Sequence, residues 1–160
     1  DMTVLIEFGG IWKKRGRVYG VPAYWAFRMY STADATRPVE TRTTVESYHV
    51  EEGNNRIPDI RDVPYLDVVA ALNDAGDRLT VFAVNRHLYR DLTAAVKLSG
   101  FPPGNRARVQ TLAGTSIYQA NDELRPEAVR PIESAVEVRG AQFDYTFPRS
   151  SVTVLELRRP

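Results

Sequence analysis

From Val39 onward the chain is a succession of short apolar runs of strand length, each stopped by Gly, Pro, Asn or Asp. Side chains of a strand alternate between two faces, so runs of this kind bury apolar surface only by stacking sheet on sheet. Many short strands at close spacing with Gly and Pro turns predict an antiparallel β-sandwich. The clearest pair is Tyr65–Leu72 (YLDVVAAL) and Arg78–Asn85 (RLTVFAVN). In the second run Leu79, Val81 and Ala83 face one way, and Thr80, Phe82 and Val84 the other. Between the runs lies Asn73-Asp74-Ala75-Gly76-Asp77. Asn and Asp tolerate left-handed backbone and Gly adopts it freely, which predicts a hairpin turn and antiparallel neighbours.

Further pairings follow from sequence adjacency. Leu92–Leu98 is expected to pair with Arg106–Leu112 across a loop whose Pro102 and Pro103 cannot join a ladder. Glu133–Arg139 is expected to turn at Gly140 onto Gln142–Phe147, and that strand to turn at Pro148-Arg149-Ser150 onto Ser151–Leu157. Val39–Val50 reads as a strand pair or one long bent strand. Ile117–Arg130 has few apolar residues and is expected to be a long, ordered surface loop.

The first residues break this pattern. Thr3–Phe8 (TVLIEF) reads as a buried strand, Gly9–Gly20 as a Gly- and Lys/Arg-rich loop, and Pro22–Tyr30 (PAYWAFRMY) as a short helix. Pro22 suits the first turn of that helix, and its aromatics leave little polar face. One strand and one helix cannot make a domain, so residues 1–38 read as the last β-α step of a larger α/β body and residues 39–160 as an all-β domain.

Composition removes several functions. With no cysteine there are no disulfides, thiolate metal sites or cysteine nucleophiles, and the two histidines make a histidine metal cluster unexpected. No metal and no cofactor is expected. A net charge of +1 argues against nucleic acid as a partner. No run approaches the roughly 20 apolar residues that span a bilayer, so no membrane association is expected. The opening residues lack a signal-peptide core, which leaves both a cytoplasmic and a secreted bacterial location open.

Three stretches carry a family resemblance: PAYWAFRMYSTADATRPVE (Pro22–Glu40), LTVFAVNRHL (Leu79–Leu88) and SAVEVRGAQFDYTFPRSSVTVLELR (Ser134–Arg158). They resemble the C-terminal region of family 51 glycoside hydrolases, the α-L-arabinofuranosidases. The resemblance implies an antiparallel β-sandwich of jelly-roll type, preceded by a short β-α remnant of a (β/α)8 barrel. It implies that catalysis sits on a barrel packed against the sandwich. A retaining enzyme of this kind uses two carboxyl groups roughly 5–5.5 Å apart. The family's Asn-Glu and Asp-Glu-Trp motifs do not occur in this chain, so no functional residue carries over.

Candidate sites follow from position. Glu7, at the end of an apolar run before Gly9-Gly10, is the one carboxylate placed like a barrel catalytic residue. The alternative is a solvated or hydrogen-bonded strand-end charge, and the partner carboxylate that catalysis needs is missing. Trp12 could stack on a sugar face, and Arg17, with its basic neighbours, could donate to hydroxyls; a solvated basic loop is the alternative. Tyr24, Trp25, Phe27 and Tyr30 read as core or inter-domain packing rather than a sugar platform. His49 and His87 read as hydrogen-bonding residues, and Asp59, Asp62 and Asp67 do not match a calcium loop. Tyr118, Gln119, Asn121 and Asp122 could meet sugar or a subunit, and are expected to pack on the barrel.

The leading expectation is therefore an accessory sandwich, itself non-catalytic, of an enzyme that releases terminal α-L-arabinofuranosyl groups from arabinan or arabinoxylan. Its partners would be the barrel, arabinose-containing oligosaccharides through that barrel, and a second copy of the chain. The alternatives are a carbohydrate-binding module and a stand-alone enzyme pairing Glu7 with Asp34 or Glu40.

Overall fold

A computed structural model describes residues 10–53 and 57–160. Glu7 and the expected strand Thr3–Phe8 lie outside the described residues. In chain order the elements are β1 (Ile11–Lys14), β2 (Arg17–Gly20), α1 (Pro22–Ser31), β3 (Arg37–Val39), β4 (Ser47–Val50), β5 (Ile60–Pro64) and β6 (Leu66–Leu72). They continue with β7 (Arg78–Asn85), β8 (Leu92–Lys97), β9 (Arg106–Ala113), β10 (Ile132–Glu137), β11 (Gln142–Phe147) and β12 (Ser151–Arg158).

The frame is a six-stranded antiparallel sheet in the order β10-β9-β12-β7-β6-β3. β8 and β11 form a two-stranded second layer. The layers meet through one core, where Leu79, Val81, Ala83, Val109, Leu155 and Leu157 from the large sheet face Phe143 and Phe147. Leu92, Ala94, Val96 and Tyr145 pack against the same core. Leu155 and Leu157 are wholly buried, and each side chain of this size stabilises by about 1.5–3 kcal/mol on burial. Phe101 seals one end of this core, with the Arg159 guanidinium 5.2 Å above its ring. The chain is thus an all-β sandwich with a single short helix among the described residues.

The β6–β7 hairpin forms as its sequence predicts, in the register Leu72↔Leu79, and the Asn73 amide closes the turn on the Arg78 carbonyl at 3.0 Å. The other adjacency pairings do not form. β8 pairs with β11 rather than β9, β10 with β9 rather than β11, and β12 with β7 and β9. The reason is layering. From β7 to β8, β8 to β9, β10 to β11 and β11 to β12 the chain crosses between layers, so sequence neighbours face each other across the core instead of sharing a ladder. β3 and β4 also do not pair; β3 lies on β6, while β4 pairs with β5 in a separate ribbon. That ribbon is tied in by a ring series, with Tyr48 to Tyr65 at 4.8 Å and Tyr65 to His87 at 4.7 Å.

The Gly9–Gly20 segment, expected as a loop, is a hairpin over its described length. β1 and β2 pair from Ile11↔Gly20 to Lys14↔Arg17. Its two-residue turn, Arg15 (φ 49°) and Gly16 (φ 76°), has both central residues left-handed, the twist that matches paired strands. The basic run hid the strands, because Lys and Arg are poor strand formers by composition yet fit a half-exposed ribbon.

α1 covers the opposite face of the large sheet. Met29 packs with Phe82, Leu112, Val129 and Val154 in a second cluster, joined by Trp25 and Ala26. The large sheet is therefore buried on both faces at its centre, and β7 is buried on both its sides along most of its length. Pro22 opens the helix where no intrahelical N–H is needed, and the Thr32 hydroxyl closes it on the Arg28 carbonyl at 2.8 Å.

Candidate functional site

Three pieces converge beside α1: the β1–β2 hairpin, the first turn of the helix, and the long segment between β9 and β10. They line a shallow cleft of ≈ 370 Å³, with Val18, Tyr19, Tyr24, Trp25, Pro126 and Glu127 among its walls. Gly20 is required here by contact. A Cβ on it would stand 2.2 Å from Cδ1 of Tyr24, so any other residue would force the Tyr24 ring or the hairpin to shift. Tyr24 in turn meets Trp25 edge-on at 5.3 Å.

The β9–β10 segment is a folded loop without strand or helix over Ile117–Arg130, as its composition predicts. Asn121 organises it. The Asn121 Oδ1 accepts the Val129 amide at 2.7 Å, and its Nδ2 donates to the carbonyls of Val129 at 2.9 Å and Gly20 at 2.8 Å. One buried side chain thus closes the loop on itself and fastens it to the end of the hairpin. The Asp122 carboxylate caps the amides of Leu124 and Arg125, and these hydrogen bonds hold it below the ordinary carboxylate range. Gln119 accepts the Thr115 amide at 2.6 Å. Tyr118 stays exposed.

Glu123 makes the second fastening. Its side chain is 8% exposed, and its Oε1 lies 3.2 Å from Lys14 Nζ and 3.7 Å from Arg15 Nε. Its carbonyl accepts Arg17 Nη1 at 3.3 Å. Its own amide, then Lys14 and Arg15, hold the carboxyl below its ordinary value, against the opposing effect of burial. Of the two residues singled out for sugar contact, Arg17 is therefore engaged with the loop, while Trp12, on the same hairpin, is 50% exposed. Sequence reasoning passed over Glu123. The signal was charge complementarity between Lys13–Arg17 and an acidic pair, Asp122-Glu123, in the one loop long enough to reach it.

The helix aromatics divide. Trp25 joins the second cluster, and Tyr30 stacks on Phe82 at 4.5 Å. Burial there raises the Tyr30 phenol above its ordinary pKa, with the Asp67 charge adding to the effect. Phe27 is 57% exposed. Two residues along a helix are about 200° apart, so Phe27 lies opposite Met29, away from the sheet.

The remaining polar residues are engaged locally. His87 Nδ1 accepts the amides of Tyr89 at 3.1 Å and Arg90 at 2.9 Å. His49 pairs with Asp59, and Arg86 holds Asp67 at 2.6 Å. Among the described residues no group of three or more His, Cys, Asp or Glu is arranged to hold a metal ion. No helix of the described chain is long and apolar enough to cross a membrane.

Comparison with known proteins places this arrangement. The family model of the alpha-L-arabinofuranosidase C-terminal domain matches residues 9–151. The chain is 26% identical over 132 residues to the probable alpha-L-arabinofuranosidase C of Aspergillus niger, a match covering 82% of this chain and 24% of that protein. It superposes on the arabinose complex of the Thermotoga maritima alpha-L-arabinofuranosidase with a TM-score of 0.86 at 25% identity, covering 94% of this chain and 32% of that one. For the thermostable GH51 alpha-L-arabinofuranosidase of Thermotoga petrophila the TM-score is 0.84 at 26% identity, over 92% of this chain and 31% of that one. The chain thus spans about a quarter of the curated relatives it matches. A match running over nearly the whole chain, in sequence and in fold, means that it belongs to the alpha-L-arabinofuranosidase C-terminal domain family.

Proposed function

We propose that this chain is the accessory sandwich of a larger retaining α-L-arabinofuranosidase, whose chemistry resides on a preceding (β/α)8 barrel. In this reading residues 1–38 are the barrel's last strand and helix, and residues 39–160 the sandwich. The observation that carries it is the two-sidedness of α1. One face buries Met29 and Trp25 on the sheet, and the other presents Phe27 to the outside. A helix that buries one side on the sheet and carries an exposed aromatic on the other suits a place between two bodies. The sandwich then supplies one of them and the barrel the other. Terminal α-L-arabinofuranosyl groups of arabinan or arabinoxylan would be the substrate, met by the barrel. The Phe27 side of α1 also supports self-association when the barrel is absent.

The test is activity with and without the barrel. The purified 160-residue chain is expected to leave a chromogenic α-L-arabinofuranoside intact, and the chain joined to its upstream barrel to hydrolyse it with retention. Turnover by the chain alone, abolished in Glu7→Gln, would overturn the reading.

A further inference from the structure

Active sites of (β/α)8 barrels are built from the loops that follow the strands. On the reading above, on which this inference rests, the β1–β2 hairpin is such a loop: it follows the segment read as the last barrel strand and leads into α1. A free ribbon of two four-residue strands is marginally stable in water. This one is held from the side by the sandwich. Asn121 grips the Gly20 carbonyl at its base, Glu123 binds Lys14 and Arg15 at its tip, and the Glu123 carbonyl takes Arg17 between them. These fastenings come from residues more than a hundred positions along the chain, so they join two parts of the protein, not two ends of one loop. We infer that Asn121 and Glu123 are positioning residues: through them the sandwich fixes the hairpin and with it Trp12, and so sets the affinity of the neighbouring barrel site for its arabinofuranoside.

The geometry states what each residue does. Glu123 is nearly buried while Lys14 and Arg15 stay largely exposed, so the carboxylate is the fixed element and the hairpin cations come to it. Trp12 lies directly across the ribbon from Tyr19, which is buried. Lys14 on β1 and Arg17 on β2 are both fastened, so both strands of the ribbon are held, and the half-exposed indole shares the face on which Tyr19 is buried. Neither Asn121 nor Glu123 need touch sugar. Their effect is exerted through the ribbon.

The chain offers its own reporter, because Trp12 and Trp25 are its two tryptophans. In a Trp25→Phe background Trp12 alone reports the hairpin. Glu123→Gln is expected to lower its fluorescence anisotropy toward that of the denatured chain, and Lys14→Gln, made on the hairpin and not the loop, to do the same. Glu133→Gln, which removes the charge that Arg108 of β9 pairs with on β10, is expected to leave it unchanged. Unaltered Trp12 anisotropy in both Glu123→Gln and Lys14→Gln overturns the inference. In the protein joined to its barrel, Glu123→Gln is expected to raise KM about tenfold with kcat changed less than about twofold. A loosened Trp12 with unchanged KM also overturns it, since the ribbon would then be held without consequence for substrate. If the joined wild-type protein shows no arabinofuranosidase activity, the functional reading fails, and the clamp is decided by the anisotropy alone.

Discussion

Asn121→Ala is the most informative single change in stability, because its cost can be worked bond by bond. The wild-type side chain is 5% exposed and makes three hydrogen bonds, two of them to Val129, which is itself 3% exposed. Alanine strands the Val129 amide and carbonyl where water does not reach. The Gly20 carbonyl, half-buried, can be rehydrated and costs less. A buried group left unpaired costs about 1–3 kcal/mol, so the change is expected to destabilise by about 2–4 kcal/mol. At this chain length that lowers Tm by about 5–15 °C. Urea unfolding followed by circular dichroism measures it, and an unchanged m-value shows that the unfolded state is not what moved. Asn121→Asp sharpens the test. It keeps the acceptor for the Val129 amide but turns an oxygen toward two carbonyls, so at pH 7 it should be at least as damaging as alanine. It should recover as the carboxyl is protonated. A loss of under about 0.5 kcal/mol for Asn121→Ala, the range of an ordinary surface change, would refute the view that this residue holds the loop.

Other perturbations probe other parts. Leu155→Ala, at a wholly buried position of the central strand β12, is expected to cost about 2–5 kcal/mol in the same assay, with the spread set by how far the core relaxes. Glu123 gives a pH signature. Its folded pKa is depressed, so its contribution is fully present above the unfolded value and is lost as pH falls through the folded one. The stability difference between wild type and Glu123→Gln should therefore be flat between about pH 5 and 8 and close below about pH 4. A difference that persists unchanged to lower pH would assign it to packing instead of charge. Phe27→Ser should leave unfolding within about 0.5 kcal/mol of wild type, because the side chain is exposed, yet weaken self-association in sedimentation. Undiminished association would remove Phe27 from the proposed contact.

How much of this was legible follows from what each signal encodes. Alternation assigned faces correctly. The two sides of β7 that the sequence separates, Leu79-Val81-Ala83 and Thr80-Phe82-Val84, are the sides turned to the sandwich core and to the helix. Alternation says nothing about partners, though, and there the expected pairings of β8 with β9, β10 with β11 and β11 with β12 all failed. A hairpin is specified locally, by a turn such as Asn73–Asp77 whose backbone needs are written in its residues. A strand that crosses to the other layer is specified by where its apolar face can be buried, and that depends on residues far along the chain. Phe143 and Phe147 need the face of the sheet made by β7, β9 and β12, and even β12, next in sequence, meets them across the core and not in a ladder.

The clamp was hidden for a related reason. Lys13–Arg17 and Asp122-Glu123 each look like solvated charge when read alone, and the default for exposed charge is solvation. What converts Glu123 into a fastening is its burial, at 8% exposure, and burial is a property of the folded loop that Asn121 creates. Once a carboxylate is withdrawn from water, the cations beside it cease to be optional, because leaving it unpaired there is costly. A double-mutant cycle on Glu123 and Lys14 follows from this. If the carboxylate is fixed and the lysine comes to it, Glu123→Gln should loosen the hairpin more than Lys14→Gln, because Arg15 remains to serve Glu123 after the lysine is gone. The double variant should then be no looser than Glu123→Gln alone. Additive effects of the two changes would mean that each acts on solvent and not on the other, and that the ribbon is held by its base alone.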